Sequence, residues 1–276
     1  MNGPVRHKAV PLPGPARVDD EWSPLRAFTD ARIALGRAGE SLPTRAHLEF
    51  QLAHARARDA VHLPLDESRL KDELGKRFPT VVAVCSAAPD RLSYLRRPDL
   101  GRCIDPAAQQ RLEVLAAPPS DVVIIVGDGL SARAVNDHAL AVVDALQEEL
   151  SGWSVGPCVL VRHARVAITD PIGMALNARI GVMILGERPG LSAADSLGIY
   201  VTWQPKPGRT DAERNCISNV RPGGQSPAAA AHRLGYLLRE MRRLGAGGVG
   251  LKDQSRVIEG SAALARRPPN LLLGGG

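Results

Sequence analysis

The stretch that decides the fold is Asp121–Ala132, DVVIIVGDGLSA, in which an apolar run leads into a glycine turn. The apolar part predicts a buried strand, and Ser131 is a suitable N-cap for a helical pattern that continues to about Leu150. Two glycines between a strand and a helix permit a sharp turn and leave backbone N–H groups at a helix N-terminus, which favour anions. The stretch therefore predicts a strand–turn–helix unit of an α/β sheet.

The segments after this stretch continue the alternation. Apolar or alternating runs predict strands at residues 158–168, 180–185 and 197–203, the last as an edge or antiparallel strand, and a further short strand precedes them at 81–86. Helical patterns occupy residues 171–177 and 227–244, and the second of these stops at the glycine-rich GAGG. This order is typical of an open α/β sheet with helices packed on it.

The N-terminal part has a different pattern. Helical spacing predicts a short helix over Thr29–Ala38 and a longer one from Thr44 to about His62, which Pro64 ends. The predicted fold class is therefore α/β: a C-terminal open α/β sheet domain over residues 106–255, preceded by a smaller, mostly helical N-terminal region over residues 21–105. The Pro-rich residues 1–20 predict a flexible arm, and residues 256–276 predict a frayed tail.

Composition and charge restrict the class of protein. The 276 residues carry a formal net charge of +6, but the arginines are mixed with acids, which favours solvated helix faces over a nucleic-acid site. The N-terminus lacks the apolar core of a secretory signal, and no apolar run reaches transmembrane length. Four widely spaced cysteines fit a reduced compartment. We expect a cytoplasmic protein that binds neither nucleic acid nor a membrane.

The turn from Gly127 to Ala132 also fits the loose dinucleotide fingerprint G-x-G-x-x-[G/A]. That fingerprint needs an acid about 20 residues further on, at the end of the next strand, to bind the ribose. Glu149 has this spacing but lies inside the predicted helix, and Asp128 would set a negative charge beside a pyrophosphate. An arginine in the later stretch RHARVAI would suit a 2′-phosphate, so an NAD(P)-dependent oxidoreductase using the GDGLSA turn stays open as the alternative.

Other catalytic patterns are absent from the sequence. It contains no G-x-S-x-G elbow, no Walker loop and no H-E-x-x-H metal motif. Cys216, in RNCISNV, has no evident base beside it, and a lone cysteine is more often a packed side chain than a nucleophile. The residues alone therefore predict a ligand site on loops, with no catalytic group and no metal site.

Four segments together resemble a known family. They are ARIALGRAGESLPTRAHLEFQLAHARARDAVH (31–62), DVVIIVGDGLSARAV (121–135), LGERPGLSAADSLGIYVTW (185–203) and ERNCISNVRPGG (213–224). In this order they are similar to the light, or small, subunit of ethanolamine ammonia-lyase, and the resemblance extends from about residue 25 to GVGLKD at 248–253.

The resemblance implies a function. The family's enzyme uses adenosylcobalamin to convert ethanolamine into acetaldehyde and ammonia by a radical route, so the chain is expected to be a subunit of a carbon–nitrogen lyase. A large subunit, a (β/α)8 barrel, carries the catalytic residues, and the small subunit helps enclose the corrinoid over the barrel mouth. The small subunit is thus expected to be inactive alone, to supply no catalytic residue and to assemble as a multimer of large–small pairs. The family is also associated with bacterial microcompartments.

Carried over position by position, the family's corrinoid contacts fall on Val166 in ARVAITDPIG, Glu187 in GERPGL and Cys216 in CISN. A corrin ring combines apolar faces with a fringe of amides, and such a ligand needs apolar surface with a few placed donors and acceptors. Further expected neighbours share positions on loops of the sheet domain: Asp128, Asn177, Arg188 and Asn219. The sheet domain is therefore expected to contact cobalamin, and the helical region 21–105 is expected to bind the large subunit.

Overall fold

The computed structural model describes residues 17–115 and 118–255. The chain divides into two compact units, Met1–Arg56 and Ala57–Gly276. Most of the expected flexible arm, residues 1–16, and the whole expected tail, residues 256–276, lie outside the described residues. This division falls between residues 56 and 57, whereas the expected partner-binding region ends near residue 105, and that region stays a prediction.

The first unit contains little regular structure before its helix. A 3-10 turn, Ser23–Phe28, is followed by irregular backbone. Helix α1 begins at Thr44 and ends at His62, as predicted, so its last six residues belong to the second unit. The predicted helix over Thr29–Ala38 is wrong. Ala34 (φ +49°) and Gly36 (φ +74°) adopt left-handed backbone, which interrupts a right-handed helix, and Arg37 instead forms a bridge with Val18.

The second unit is an α/β sheet domain, which confirms the predicted fold class. Its six strands are β1 (Val81–Cys85), β2 (Ser120–Gly127), β3 (Cys158–Arg162), β4 (Ala178–Gly186), β5 (Leu197–Trp203) and β6 (Arg214–Val220). Its helices are α2 (Glu67–Gly75), α3 (Arg91–Arg96), α4 (Pro106–Val114), α5 (Ala132–Glu149), α6 (Thr169–Ala175) and α7 (Pro227–Leu244). In the described parts of the chain, no helix is both long enough and apolar enough to cross a membrane.

The sheet is parallel on one side and antiparallel on the other. The strand order is β1-β3-β2-β4-β5-β6; β1 to β4 are parallel, whereas β5 runs antiparallel to β4 and β6 antiparallel to β5. The antiparallel direction of β5 was predicted, but β6 was not, because only Cys216, Ile217 and Val220 in RNCISNV are apolar. The predicted strand over 158–168 is too long, since β3 ends at Arg162 and His163 adopts a left-handed φ of +57°.

Two hydrophobic clusters cover the two faces of the sheet. On the first face, α2, α5 and α7 pack against the side chains that β2, β4 and β5 direct to that side, such as Ile124, Val182 and Ile199. On the second face, α4 and α6 pack against the alternate side chains, such as Ile125 and Met183. The period of two along each strand decides which side chains belong to which face. Helices therefore cover both faces of the parallel part of the sheet.

Candidate functional site

The glycine turn after β2 packs backbone to backbone against the end of β4. Gly129 has a φ of +56°, and a Cβ atom there would lie 2.1 Å from the Gly186 carbonyl oxygen. A Cβ on Gly186 would in turn lie 2.1 Å from the Ser131 carbonyl oxygen. The Leu130 N–H donates to the Gly186 carbonyl over 2.9 Å, which closes the contact. Both glycines are thus needed for the close approach of two chain segments.

Asp128, in the middle of this turn, is a buried structural acid. Only 4% of its surface is exposed, and its carboxylate accepts a hydrogen bond from the Ala164 N–H over 2.9 Å. Arg91 lies 3.3 Å from the other carboxylate oxygen and also donates to the Gly129 carbonyl over 2.7 Å. Burial raises the pKa of Asp128 above its usual value, against the opposing effect of these donors. Asp128 therefore joins the ends of β2 and β3 and is not placed to meet a ligand.

The turn gives no support to the dinucleotide hypothesis. The Ser131 hydroxyl accepts from the Ala134 N–H over 3.2 Å, so it caps α5 as predicted, and it donates to the Ala194 carbonyl. The Leu130 N–H donates to Gly186 and the Ala134 N–H to Ser131, so two of the donors near the start of α5 already bind groups of the protein. The described residues therefore favour a packing role for GDGLSA.

Glu187 follows β4 directly, and its carboxylate is held from two sides. The Ser196 hydroxyl donates to it over 2.5 Å, and the Asn219 N–H approaches its two oxygens at 3.3 and 3.4 Å. The Glu187 N–H donates to the Ser196 carbonyl over 2.9 Å. Gly198 leaves room for the side chain, because a Cβ there would lie 3.0 Å from a Glu187 carboxylate oxygen. The half-buried Glu187 carboxylate is thus fixed at the start of β5 and the end of β6.

Cys216 lies on β6 opposite Tyr200 of β5, and the two side chains share a hydrogen bond on the second face of the sheet. The Tyr200 ring is half-buried against the second cluster, whereas Cys216 is exposed. The pKa of the Cys216 thiol is raised, first by the neighbouring protein atoms that displace water and then by the charge of Glu187, against the hydrogen bond from Tyr200. A neutral thiol is a poor nucleophile, so Cys216 is suited to contact and not to covalent chemistry.

Val166 begins a 3-10 turn, Val166–Ile168, that follows the end of β3. It is half-buried and packs against the same second-face cluster as Tyr200. The turn leads directly into α6, where Asp170 forms a buried ion pair with Arg214 of β6 at 2.6 Å. The structure therefore brings Glu187 and Cys216 together beside Tyr200, and it places Val166 on the same face of the sheet.

The other expected neighbours have different outcomes. The Asn219 N–H lies beside the Glu187 carboxylate, and Arg188 is exposed on the loop that begins at Glu187; their contact with the cofactor stays a prediction. Asn177 precedes β4, so the nine residues of that strand separate it from Glu187 and place it at the opposite edge of the sheet. Asn177 therefore lies away from Glu187, and the expectation that it contacts the cofactor stays a prediction.

Three residues of this face escaped the sequence interpretation: Ser196, Gly198 and Tyr200. The alternation in LGIYVTW predicts two faces for β5, and it puts Gly198 and Tyr200 on the same one. Only the pairing of β5 with β6 shows that this face also carries Cys216. In residues 17–115 and 118–255, no group of three His, Cys, Asp or Glu side chains is placed to hold a metal ion.

The arrangement is suited to binding and not to acid, base or nucleophilic catalysis. It combines an aromatic ring at Tyr200, a neutral thiol at Cys216 and the oriented Glu187 carboxylate, and the buried Gly198 lets the ring and the carboxylate approach each other. Apolar surface with a few fixed polar groups is what a large amphipathic ligand requires. We call this surface, made of Val166, Glu187, Gly198, Tyr200 and Cys216, the open face.

Comparison with known proteins identifies the family. Residues 19–252 match the sequence profile of ethanolamine ammonia-lyase light chain (EutC). An ethanolamine ammonia-lyase small subunit of Pseudomonas aeruginosa (strain UCBPP-PA14) is 52% identical over 265 residues, which cover 94% of this chain and 96% of that protein. The small subunit of Azotobacter vinelandii (strain DJ / ATCC BAA-1303) is 53% identical over 263 residues, covering 94% of this chain and 97% of that protein. The chain therefore belongs to the ethanolamine ammonia-lyase small-subunit, or light-chain, family.

Proposed function

We propose that this chain is the small subunit of an adenosylcobalamin-dependent ethanolamine ammonia-lyase and that its open face forms one wall of the corrinoid site. The observation that carries the proposal is the joining of Glu187, Tyr200 and Cys216 on one exposed part of the sheet. Glu187 and Cys216 are two of the three positions that the family resemblance implies, and they meet although 28 residues separate them in the sequence.

The residues of the open face fit a corrinoid. Gly198 is buried beneath Glu187 and Tyr200, and the absence of a side chain there lets these two residues approach each other, since even a methyl group would press on both. A Glu187 carboxylate with two donors already bound keeps further lone pairs for the amide N–H groups of a corrin fringe. Val166 and the Tyr200 ring supply apolar surface. Exposed apolar surface beside oriented polar groups favours this class of ligand over a small metabolite.

The division of labour follows from the same chemistry. Adenosylcobalamin, when bound, supplies the radical that starts the conversion of ethanolamine into acetaldehyde and ammonia. The residues of this chain orient and enclose: Glu187 accepts hydrogen bonds from amides, and the apolar members of the open face exclude water. A large subunit supplies the catalytic side chains, in agreement with the word "small" in the names of the relatives.

The first unit is the proposed contact with the large subunit. Large apolar side chains are exposed there, among them Trp22 at 68%, and Leu48 and Leu52 one turn apart on α1. Exposed apolar groups on neighbouring positions of a helix are typical of a protein–protein interface. A multimer of large–small pairs in the cytoplasm, or inside a bacterial microcompartment, is part of this proposal.

The test is ethanolamine deamination with adenosylcobalamin, measured with a large subunit in the presence and absence of this chain. We expect activity only when both subunits are present. Glu187→Ala should weaken cobalamin binding by about 1–3 kcal/mol, the cost of unpaired buried partners. Glu148→Ala, an exposed acid on α5, is the matched control.

Alkylation of cysteines gives an independent readout of the same proposal. Cys103 and Cys216 are both exposed, so at alkaline pH a reagent can reach both in the chain alone, and the raised pKa should make Cys216 the slower to react. In the assembled complex, added cobalamin should protect Cys216 and leave Cys103 unchanged. Equal reactivity of Cys216 with and without cobalamin in a complex that binds the cofactor would place the corrinoid elsewhere.

A further inference from the structure

Tyr200 occupies the centre of the open face, although neither the sequence motifs nor the family positions single it out. In the sheet register it is opposite Cys216 on β6 and opposite Met183 on β4. Its ring packs against the same hydrophobic cluster as Val166, and a Cβ on Gly198 would lie 2.9 Å from the ring. Tyr200 therefore neighbours Glu187, Gly198 and Cys216, and it shares a hydrophobic cluster with Val166.

The position of the Tyr200 ring follows from its place on β5. Met183, its cross-strand partner on β4, lies beside it on the same face and is fully buried, so one side of Tyr200 borders a filled core. The neighbouring even-numbered position of β5, Thr202, is fully buried and bonds to Arg214 at 2.8 Å. Tyr200 thus lies half-exposed on β5, between the buried Thr202 on one side and Gly198, which Glu187 covers, on the other.

The Tyr200 hydroxyl is also oriented. Tyr200 lies directly across the β5–β6 pair from Cys216, and its interaction with the sulfur acts to lower the pKa of the thiol, as expected for a phenol O–H directed at sulfur. A phenol that donates its one proton to sulfur retains two acceptor lone pairs. The group can therefore accept a hydrogen bond from an amide N–H while its ring offers an apolar surface.

We propose that Tyr200 is a cofactor-contacting residue of the open face, with its ring against the corrinoid and its hydroxyl, held by Cys216, as an acceptor for a corrin amide. This inference rests on the proposed function, since it names a further contact of the same site. It assigns Cys216 a second part, which is to orient the Tyr200 hydroxyl. Tyr200 and Cys216 then act as a unit.

The experiment measures the dissociation constant of cobalamin, by its absorption spectrum, in the assembled large–small complex. Tyr200→Phe removes only the hydroxyl and should weaken binding roughly three- to tenfold, the effect of one hydrogen bond. Tyr200→Leu also removes the ring and should weaken binding further. Tyr236→Phe on α7, which packs on the first face, is the matched control and should bind as the unaltered protein does.

A double-mutant cycle distinguishes a contact from a loss of structure. If Cys216 orients the hydroxyl in addition to its own contact with the corrinoid, the double variant, Tyr200→Phe with Cys216→Ala, should bind more tightly than the sum of the two single effects predicts. Purely additive effects would show that Cys216 does not orient the hydroxyl. Phe at position 200 keeps the packing of the ring, so unaltered thermal unfolding of that variant is expected. A fall in its unfolding temperature that accounts for the weaker binding would assign Tyr200 a purely structural part and overturn the inference.

The outcomes also separate this inference from the proposed function. If Glu187→Ala weakens cobalamin binding while Tyr200→Phe and Tyr200→Leu bind normally, the corrinoid site stands and the part given to Tyr200 is wrong. If the complex binds cobalamin and none of these variants changes the dissociation constant, the open face is not the corrinoid wall, and both proposals are wrong.

Discussion

Gly129 explains why the glycine turn resembles a cofactor-binding loop in sequence although its role in the structure is packing. Its left-handed backbone and its approach to Gly186 both exclude a side chain. A dinucleotide fingerprint selects glycine for similar reasons, namely a tight turn and close approach, but the group approached there is a phosphate. Here it is the backbone of β4. The sequence alone predicts the close approach without naming the neighbour.

Gly129→Ala tests this role. We expect a loss of stability well beyond the roughly 1–2 kcal/mol that left-handed backbone costs a residue with a Cβ atom, because the new methyl group would also collide with Gly186. Gly152→Ala is the control, since Gly152 has a φ of +78° and a methyl group added there would meet no atom within 4 Å. Urea unfolding measures both. Equal losses in the two variants would contradict the packing role.

Residue-level prediction from the sequence has a clear limit at this site. Glu187 and Cys216 were named through resemblance to a family, and Ser131 was named as a cap from its own chemistry, which the structure confirms. Tyr200 and Ser196 were missed because their importance comes from long-range pairing of β5 with β6 and from the fold of the loop after β4. Local pattern carries no information on which distant strand becomes a neighbour.

At the scale of elements, the buried ion pair between Arg214 and Asp170 joins β6 to α6. Arg214 donates to both Asp170 oxygens, at 2.9 and 2.6 Å, and to the Thr202 hydroxyl at 2.8 Å. Both charged side chains are almost fully buried. Because α6 follows directly on the turn that carries Val166, this pair fixes that turn relative to the strand that carries Cys216.

Arg214→Leu should therefore destabilise the protein by about 3–5 kcal/mol, since it leaves a buried charge without its partner. The double variant with Asp170→Leu should be less damaging than Arg214→Leu alone, because no uncompensated charge remains. Arg97→Leu, which breaks an exposed pair with Asp99, is the control and should have no measurable effect. Urea unfolding measures the stability of all three variants. A double variant less stable than Arg214→Leu alone would contradict this role of the ion pair.

The 3-10 turn before β6, Asp211–Glu213, contains a second carboxylate that several neighbouring groups bind, Glu213. The Thr210 N–H donates to the Glu213 carboxylate over 2.8 Å, and the Arg209 and Thr210 side chains also bind it. These donors lower the pKa of Glu213 to about 2, from an ordinary value of 4.5. The carboxylate therefore stabilises the folded state above pH 4.5, and this contribution is lost as the pH falls through about 2.

Glu213→Gln should then lower the urea midpoint at neutral pH, because an amide binds the same donors more weakly than a carboxylate. The difference between the variant and the unaltered protein should shrink as the pH falls from 4.5 towards 2. Measurements of unfolding across this range give the comparison. A difference that stays constant with pH would show that the carboxylate charge is not responsible.

The sequence pattern predicted best the long helices and strands in which apolar residues recur with a clear period. Helices α1, α5 and α7 and strands β2 and β4 appear within a few residues of their predicted bounds. The helix predicted over Thr29–Ala38 failed because Ala34 adopts left-handed backbone, which alanine rarely does and no local pattern reveals. Strand β6 was missed because exposed polar residues occupy half of it, as expected for a strand that leaves one face open.

At the scale of the whole molecule, the two compact units suggest separable tasks. The proposed function gives the corrinoid wall to the second unit and the large subunit to the first. Removal of residues 1–56 should therefore leave the circular dichroism of the sheet domain intact while abolishing co-purification with the large subunit.

A substitution checks the same assignment without truncation. Leu48→Asp with Leu52→Asp places two charges on exposed apolar positions of α1 and should weaken co-purification with the large subunit. Val249→Asp is the control, because Val249 is 80% exposed in the second unit. Unchanged co-purification of the α1 variant would move the interface away from this helix.

The reversal of strand direction after β4 has a consequence for how such a sheet stays available to a ligand. A parallel continuation would have required a crossover, usually a helix, and the crossovers in this sheet cover both of its sides. The chain instead returns through a ten-residue loop, 187–196, and lays β5 and β6 down as a meander. In residues 178–220, this connectivity places no crossover helix between β4, β5 and β6 on the side of the sheet that carries Tyr200. The accessibility of that side is therefore a consequence of the sheet topology and does not depend on which side chains occupy it.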